Sequence, residues 1–486
     1  MKKEESYGKR QKIGLFAGPL LFAFISFLPV TEGLTVEGKY VLAATAWMAV
    51  WWISEAVPLA VTALLPIIIF PIMDVVSMEE AAKPYANPNA FLIMGGFMLA
   101  VTLERWNLHK RLALHIILIT GTSPDRLVLG FMLATAFLSM WISNTATTMM
   151  ILPIAIAVIK QIADLIKESE EDAGRFATCL LLSVGYAGAI GGMATLIGTP
   201  PNIVFASFVQ QQSGIDITFF DWFIYALPIA ITFLIISWVF MTKIAFPSPF
   251  KELKQGKEMI ENEKEDLGPI SDGERGIAIV FSLVALAWIS RSFLIEQFVP
   301  GITDAAIAVI GIILTFVYPV DFKKGVFLNS WDNALKIPWG ILLLLGGGLS
   351  LANAFIETEL ADWIGMNLSQ LQNMPVMLIL FIVVLSVSLL SNITSNTATT
   401  SVMLPIAATL GAAMALDDPL ALMIATTTAA SFAFMLPVAA PPITIIFGSG
   451  YVKLTDMVKY GAILQFIAII IITIFVTFWM PFVWDF

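Results

Sequence analysis

The hexapeptide Ser-Asn-Thr-Ala-Thr-Thr occurs twice in this chain, at Ser143–Thr148 and at Ser395–Thr400, and both copies lie inside long apolar stretches. Hydroxyls and amides in apolar surroundings are costly unless they find a partner. Their oxygens are neutral and hard, which suits a monovalent cation such as Na⁺. Ser, Thr and Asn are also favoured at helix N-caps, where free N–H groups attract a carboxylate. Each copy is followed by Leu-Pro-Ile-Ala, at Leu152–Ala155 and Leu404–Ala407, so both pieces recur 252 positions apart. Upstream, Gly95–Ala100 pairs with Gly347–Ala352 at the same spacing. Downstream, Gly198-Thr199-Pro200-Pro201-Asn202 faces Ala439-Ala440-Pro441-Pro442-Ile443, 241 positions apart. These matches are the mark of an internal duplication. No Arg or Lys lies between Ser139 and Ala155 or between Ser391 and Ala407, so an anion there would be held by dipoles and bound cations.

The elements that carry these residues belong to a membrane protein. The chain has 486 residues, of which 58% are hydrophobic and 13% charged, with mean hydropathy +0.87; soluble domains carry about 25% charged residues. Charge-free windows at Phe176–Ile215, Trp222–Thr242, Ile337–Ile356, Trp363–Leu416, Pro419–Val452 and Tyr460–Trp484 reach the ~20 residues that cross a bilayer. Gly276–Ser290 and Ala305–Val320 are shorter and need their flanks. Net charge −10 argues against nucleic acid; the single Cys179 excludes an internal disulfide and argues against a thiolate metal site. Lys and Arg alternate between connections, which predicts a cytoplasmic N-terminus and about eleven crossings in the cell (cytoplasmic) inner membrane. Residues 1–38 read as a tail without a cleavable signal, followed by a first span.

Two apolar segments fit that count only if they do not cross. Leu127–Ile159 and Met377–Leu410 are long enough for two half-helices and a turn but short for two crossings. They are expected to be re-entrant hairpins, at 125–163 and 374–414, with the repeated hexapeptides at their tips. The first opens to the cytoplasm and the second to the outside. Such non-helical backbone survives at membrane depth only when buried in protein or lining a cavity. The double prolines predict a broken helix after each hairpin. The reading is an all-α polytopic protein with inverted repeats at 39–246 and 274–486, joined by a polar cytoplasmic linker at 247–273; this is the plan of a secondary transporter.

Other polar residues have plainer readings. Gly95-Gly96 and Gly346–Gly348 are expected in close helix packing, and the 22 Met in apolar packing. His109 and His115 lie on the basic amphipathic stretch Asn107–Thr120, expected to be an interfacial helix with no ligand role. Glu55 reads equally as an intramembrane functional acid or as an interfacial one beside Trp51 and Trp52. No nucleophile, metal set or paired carboxylates point to an enzyme. An anion channel using the hairpin dipoles as a filter is the alternative of a different class.

The paired Ser-Asn-Thr hairpins, Gly-Thr-Pro-Pro-Asn at Gly198–Asn202 and Pro-Val-Ala-Ala-Pro-Pro at Pro437–Pro442 resemble the divalent-anion:sodium symporter (DASS) family, and within it the bacterial sodium-coupled dicarboxylate transporters, over nearly the whole chain. The resemblance implies eleven transmembrane helices and two hairpins in a homodimer. It also implies a scaffold domain, and a transport domain that moves like an elevator. Asn107–Thr120 and Thr358–Leu371 would link the two. It places one sodium ion at Ser139, Ser143, Asn144 and Gly198, and a second at Ser391, Ser395, Asn396 and Ala439. It places substrate at Asn144, Thr145, Thr199, Pro200, Ser395, Asn396, Thr397, Ala440 and Pro441. The implied cargo is a small C4-dicarboxylate anion (succinate, malate or fumarate) together with Na⁺. The second break departs from the family pattern, with Ala440 and Ile443 where dicarboxylate members resemble Thr and Asn; Thr444 could replace the missing hydroxyl. Citrate or sulfate symport, or dicarboxylate exchange without sodium, therefore stay open.

Overall fold

The computed structural model describes residues 7–121, 123–165, 170–248, 254–368, 374–414 and 420–484. Lys2, Lys3, Lys167 and Lys251 of the charge pattern, and residues 369–371 at the end of the second expected interfacial segment, lie outside the described residues. Among the described residues, six helices are long and apolar enough to cross a membrane: Met78–Arg105, Glu171–Met193, Phe219–Ala245, Asp272–Phe298, Trp339–Glu357 and Leu454–Val483. Shorter apolar helices cover Leu59–Ile72, Asp304–Val317, Val376–Ser391 and Leu420–Ala430. One element departs from the all-α expectation. Pro319–Asp321 and Val326–Phe327 form a two-stranded antiparallel ribbon, closed by Gly325 at φ 66°.

The chain divides into two compact units. The first comprises Met1–Ala90, Ile203–Asp216 and Pro338–Ala430. Its core gathers Val41, Met48 and Trp52 of helix Val36–Ser54 with Phe70, Leu351 and Phe355. Thr35 caps that helix: its Oγ1 accepts from Gly38 N at 2.9 Å and donates to the Thr358 carbonyl at 2.7 Å. The glycine triplet serves packing. A Cβ on Gly347 would lie 2.2 Å from the Ala63 carbonyl oxygen, and one on Gly346 would lie 2.3 Å from the Tyr85 ring. Only glycine lets these backbones meet. Glu55 ends Val36–Ser54 in the left-handed conformation at φ 50°, half exposed, 3.8 Å from Arg10. That is a partly exposed acid at a helix end.

The second unit comprises Phe91–Asn202, Ile217–Ile337 and Ser431–Phe486. Helix Glu170–Met193 is its axis, and its apolar span is enclosed throughout, whereas Asp272–Phe298 turns Ile279, Leu283 and Leu286 outward. The latter helix runs further than its charge-free core predicts because Arg291 is not a terminator. A wide π turn at Arg291–Ile295 carries the guanidinium inward, 2.8 Å from Asp304, and both side chains are buried. Asp304 Oδ2 also accepts from Phe219 N at 2.7 Å. A buried charge pair held by further hydrogen bonds fixes three helices to one another.

The basic stretch after Asn107 is helical over Leu108–Thr120. His109 is buried, with its Nδ1 3.2 Å from the Leu103 carbonyl oxygen, and burial pushes its pKa down. The polar linker holds a helix at Lys254–Glu265. It docks through Ile260, which is buried, and a Lys110–Glu263 pair at 2.8 Å. Nearby, Arg111 meets Glu274 at 2.6 Å. Its mixed charges hid an ordinary amphipathic helix.

Candidate functional site

The first hexapeptide sits where the sequence pattern places it, at a turn between two helices, Pro124–Ser139 and Asn144–Leu165. Ser139 is the last residue of one arm and Asn144 the first of the other. The Ser139 hydroxyl oxygen lies 2.6 Å from Asn144 Oδ1 and 2.7 Å from the Gly188 carbonyl oxygen. A hydroxyl has one proton, so it can donate to only one of those two acceptors. Three oxygens thus gather around a single hydrogen, and Ser139 and Gly188 are buried. Such an electron-rich cluster of neutral oxygens matches the coordination demands of a hard monovalent cation.

Four further features fix this tip. Ser143 caps the second arm, its Oγ accepting from Ala146 N at 3.2 Å. Trp141 stacks on Phe219 at 5.8 Å and meets Phe281 edge-on at 5.1 Å. Thr195 donates its hydroxyl to the Met140 carbonyl, tying the turn to the first helix break. A Cβ on Gly192 would lie 2.3 Å from Asn144 Oδ1, so the Asn144 amide rests directly on the backbone where helix Glu170–Met193 ends.

The break itself covers residues 194–199, and Pro200 starts the next helix. Gly198 N donates to the Thr195 carbonyl at 3.3 Å, and Gly198 packs against the Gly192 carbonyl, where a Cβ would come within 2.4 Å of the oxygen. Thr199 is buried, while Thr145 and Pro200 are partly exposed. Of the residues expected at the first cation position, Ser139 and Asn144 meet through side chains. Ser143 contributes a cap, and Gly198 a tight turn.

The second hexapeptide repeats the central geometry within the first unit. Helices Val376–Ser391 and Asn396–Ala413 flank the turn. The Ser391 hydroxyl oxygen lies 2.8 Å from Asn396 Oδ1 and 2.7 Å from the Ala430 carbonyl oxygen. Ser139 and Ser391, and Asn144 and Asn396, are 252 positions apart; Gly188 and Ala430 are 242 apart, one more than the 241 of the double-proline breaks. The supports differ. Ser395 stands at the N-cap but its hydroxyl makes no capping bond. Ile393 replaces Trp141 and is 48% exposed. Ser395 and Asn396 are partly exposed, and Thr397 is buried.

The second break spans 431–440, in the second unit. Ala439 N donates to Leu436 O at 3.0 Å, reproducing the Thr195–Gly198 turn. Pro441 starts the helix that follows, with Ala439 and Ala440 buried before it. Thr444 lies one turn into the helix, where its hydroxyl has two carbonyl acceptors, Pro437 and, at 3.2 Å, Ala440 itself.

The carbonyls of Gly188 and Ala430 were not anticipated from sequence, because a backbone oxygen carries no residue-type signal. The spacing Gly185, Gly188, Gly191, Gly192 was the available hint, since small residues at such intervals mark close backbone approach.

Comparison with known proteins agrees with this architecture. The sodium:sulfate symporter transmembrane region matches residues 9–484. The sodium-dependent dicarboxylate transporter SdcS of Staphylococcus saprophyticus is 41% identical, covering 99% of this chain and 93% of its own. SdcS of Staphylococcus aureus strain USA300 is 41% identical, over 99% of this chain and 94% of its own. The fold is shared with the YdaH transporter of Alcanivorax borkumensis, at TM-score 0.58, 13% identity, and coverage of 98% of this chain and 99% of that one. It is also shared with MtrF of Neisseria gonorrhoeae, at TM-score 0.57, 12% identity, and coverage of 97% and 95%. The chain is a polytopic membrane protein, and it belongs to the sodium:sulfate symporter family.

Proposed function

We propose that this chain is a secondary active transporter that carries C4-dicarboxylates (succinate, malate and fumarate) into the cell together with Na⁺. The observation that carries the proposal is the oxygen triangle built twice, Ser139–Asn144–Gly188 and Ser391–Asn396–Ala430. Each triangle brings together a hydroxyl, a carboxamide oxygen and a main-chain carbonyl around one proton, a set that binds a sodium ion without any charged ligand. The relatives at 41% identity are sodium-dependent dicarboxylate transporters, which supports the same cargo here.

In this reading Ser139, Ser143, Asn144 and Gly198 serve one ion, and Ser391, Ser395, Asn396 and Ala439 the other. The dicarboxylate lies against Asn144, Thr145, Thr199 and Pro200 from one repeat and Ser395, Asn396, Thr397, Ala440 and Pro441 from the other. The N-terminal ends of the second hairpin arms supply positive dipole ends for its carboxylates. Asn144 and Asn396 touch ion and anion alike. Bound sodium then fixes each amide and adds positive potential beside the substrate, which raises anion affinity and couples the two. The protein works as a homodimer in the cell membrane with its N-terminus in the cytoplasm. Eleven helices and two re-entrant hairpins are divided between a scaffold and a transport domain that moves as an elevator. The departures at Ala440 and Ile443 favour citrate or sulfate as the second reading.

The test is radiolabelled succinate uptake into proteoliposomes under an inward sodium gradient and under a matched potassium gradient. Concentrative uptake with sodium alone is expected. Equal uptake in both gradients would point to an exchanger or a channel, and none in either, with citrate or sulfate accumulating instead, would move the cargo to the second reading.

A further inference from the structure

The two breaks share a backbone turn but not the side chain that braces it. Asn202 is fully buried, and its Nδ2 faces three carbonyl oxygens: Thr195 at 2.7 Å, Met193 at 3.2 Å and Gly192 at 3.4 Å. Two of these belong to the end of helix Glu170–Met193, where the last carbonyls have no partner within the helix. The third lies inside the break and also receives the Gly198 N–H. The carboxamide can face this way only with its NH₂ inward, because its oxygen would repel three carbonyls. Its Oδ1 is consequently buried without a donor, an expense that native structures rarely accept without a reason.

The reason lies one contact further on. Gly192, whose carbonyl Asn202 holds, is the surface on which the Asn144 amide rests and against which Gly198 packs. Asn202 touches neither Ser139 nor Asn144 in any hydrogen bond. It fixes the backbone that fixes them. In the second repeat the equivalent position, 241 further on, is Ile443, whose side chain has no donor. There the break is held from elsewhere: Gln465 Oε1 accepts from Phe434 N at 3.3 Å, and Thr444 reaches back to Pro437.

We infer that Asn202 is a positioning residue for the first cation site, holding the helix end and the break so that the Ser139–Asn144–Gly188 triangle is preformed, whereas the second break carries Ile443 at the equivalent position. This rests on the sodium-coupled reading above. It predicts a division of labour in which loss of Asn202 weakens sodium at one site and leaves substrate recognition at saturating sodium in place.

The experiment uses the full-length protein in proteoliposomes, with Asn202→Leu, which keeps the volume and removes the donors, and Asn202→Ser, which keeps one donor should the leucine variant fail to fold. Sodium stabilisation of the purified protein is read in parallel as a thermal shift in NaCl against choline chloride. For Asn202→Leu the half-saturating sodium concentration for uptake should rise about tenfold, the effect of ~1.4 kcal/mol. The Hill coefficient for sodium should fall towards one, while the succinate KM at saturating sodium changes less than about twofold. Asn202→Ser should fall between parent and leucine variant. A sodium titration identical to the parent's in both variants, or a succinate KM that rises equally at all sodium concentrations, overturns the positioning role. A parent protein with no sodium effect in either assay overturns the sodium reading itself, and this inference with it.

Discussion

The two hairpin tips carry the same six residues and the same oxygen triangle, yet they are braced by different contacts. At the first, Ser143 caps the arm, Trp141 stacks on Phe219 and meets Phe281 edge-on, Thr195 ties the turn to the break, and Asn202 holds three carbonyls. At the second, the Ser395 hydroxyl makes no cap, Ile393 is exposed and Ile443 takes the place of Asn202, while the Thr394 and Thr399 hydroxyls bond to each other and Asn392 donates to the Ser388 carbonyl at 2.8 Å. What duplication has kept is the oxygen triangle proposed to hold the ion. What has diverged is the support around it. A triangle that is braced in advance loses little entropy when an ion arrives, whereas a looser one must be ordered by the ion or by the substrate.

The largest effect that can test this comparison is expected at the shared amides. Asn144→Ala and Asn396→Ala each remove an oxygen proposed to face both ion and anion, and sodium and succinate affinity should fall together by about 100-fold. Equilibrium binding of labelled succinate at several sodium concentrations checks this. Normal sodium dependence with only succinate affinity lost would break the shared contact.

Next in size are two glycines of one helix that face different neighbours. Gly191→Ala places a Cβ 2.1 Å from the Ala136 carbonyl oxygen, which is backbone and cannot yield. Expression and thermal stability should drop sharply, in the range of about 2–4 kcal/mol for overpacking of this kind. Gly188→Ala meets the Thr148 hydroxyl at 3.2 Å, which can rotate away, so that variant should fold with altered sodium dependence. The reverse order of stability would contradict the packing described for the first hairpin.

A smaller change sharpens the contrast between the tips. Trp141→Ile gives the first tip the residue of the second. The protein should fold, and the loss of aromatic contacts worth about 1 kcal/mol should raise its sodium requirement about fivefold. Ile393→Trp, a surface change, should alter sodium dependence less than twofold.

The smallest effect is expected at Ala440→Thr. Position 440 is buried beside the proline that starts the helix after the second break. A hydroxyl there should shift the preference among succinate, citrate and sulfate by a few-fold, read from competition for uptake. An unchanged profile would remove Ala440 from the substrate set.

Much of this arrangement was legible in the chain. The 252-residue repeat located both tips, and Pro200 and Pro441 located both helix restarts, because these features depend on residue identity and spacing. The third oxygen of each triangle was not legible, since Gly188 and Ala430 contribute only main-chain carbonyls. Nor was the inward turn at Arg291: a basic residue after an apolar run reads as a membrane boundary, and only the fold brings Asp304 within 2.8 Å of it. The helix at Lys254–Glu265 was hidden by its charge, although Ile260 is buried on its docked face. Asn202 stood in view as part of the Gly-Thr-Pro-Pro-Asn motif, but its three acceptors lie seven to ten residues back, on backbone that composition does not describe.

The central claim is that each Ser–Asn–carbonyl triangle holds one sodium ion and that both ions support the anion. The most direct measurement is the sodium titration of succinate binding to the purified protein, for the parent, Ser139→Ala and Ser391→Ala. The account predicts a Hill coefficient above one in the parent that falls towards one in either serine variant, with the half-saturating sodium concentration raised about tenfold. A coefficient and midpoint unchanged by both substitutions would contradict it.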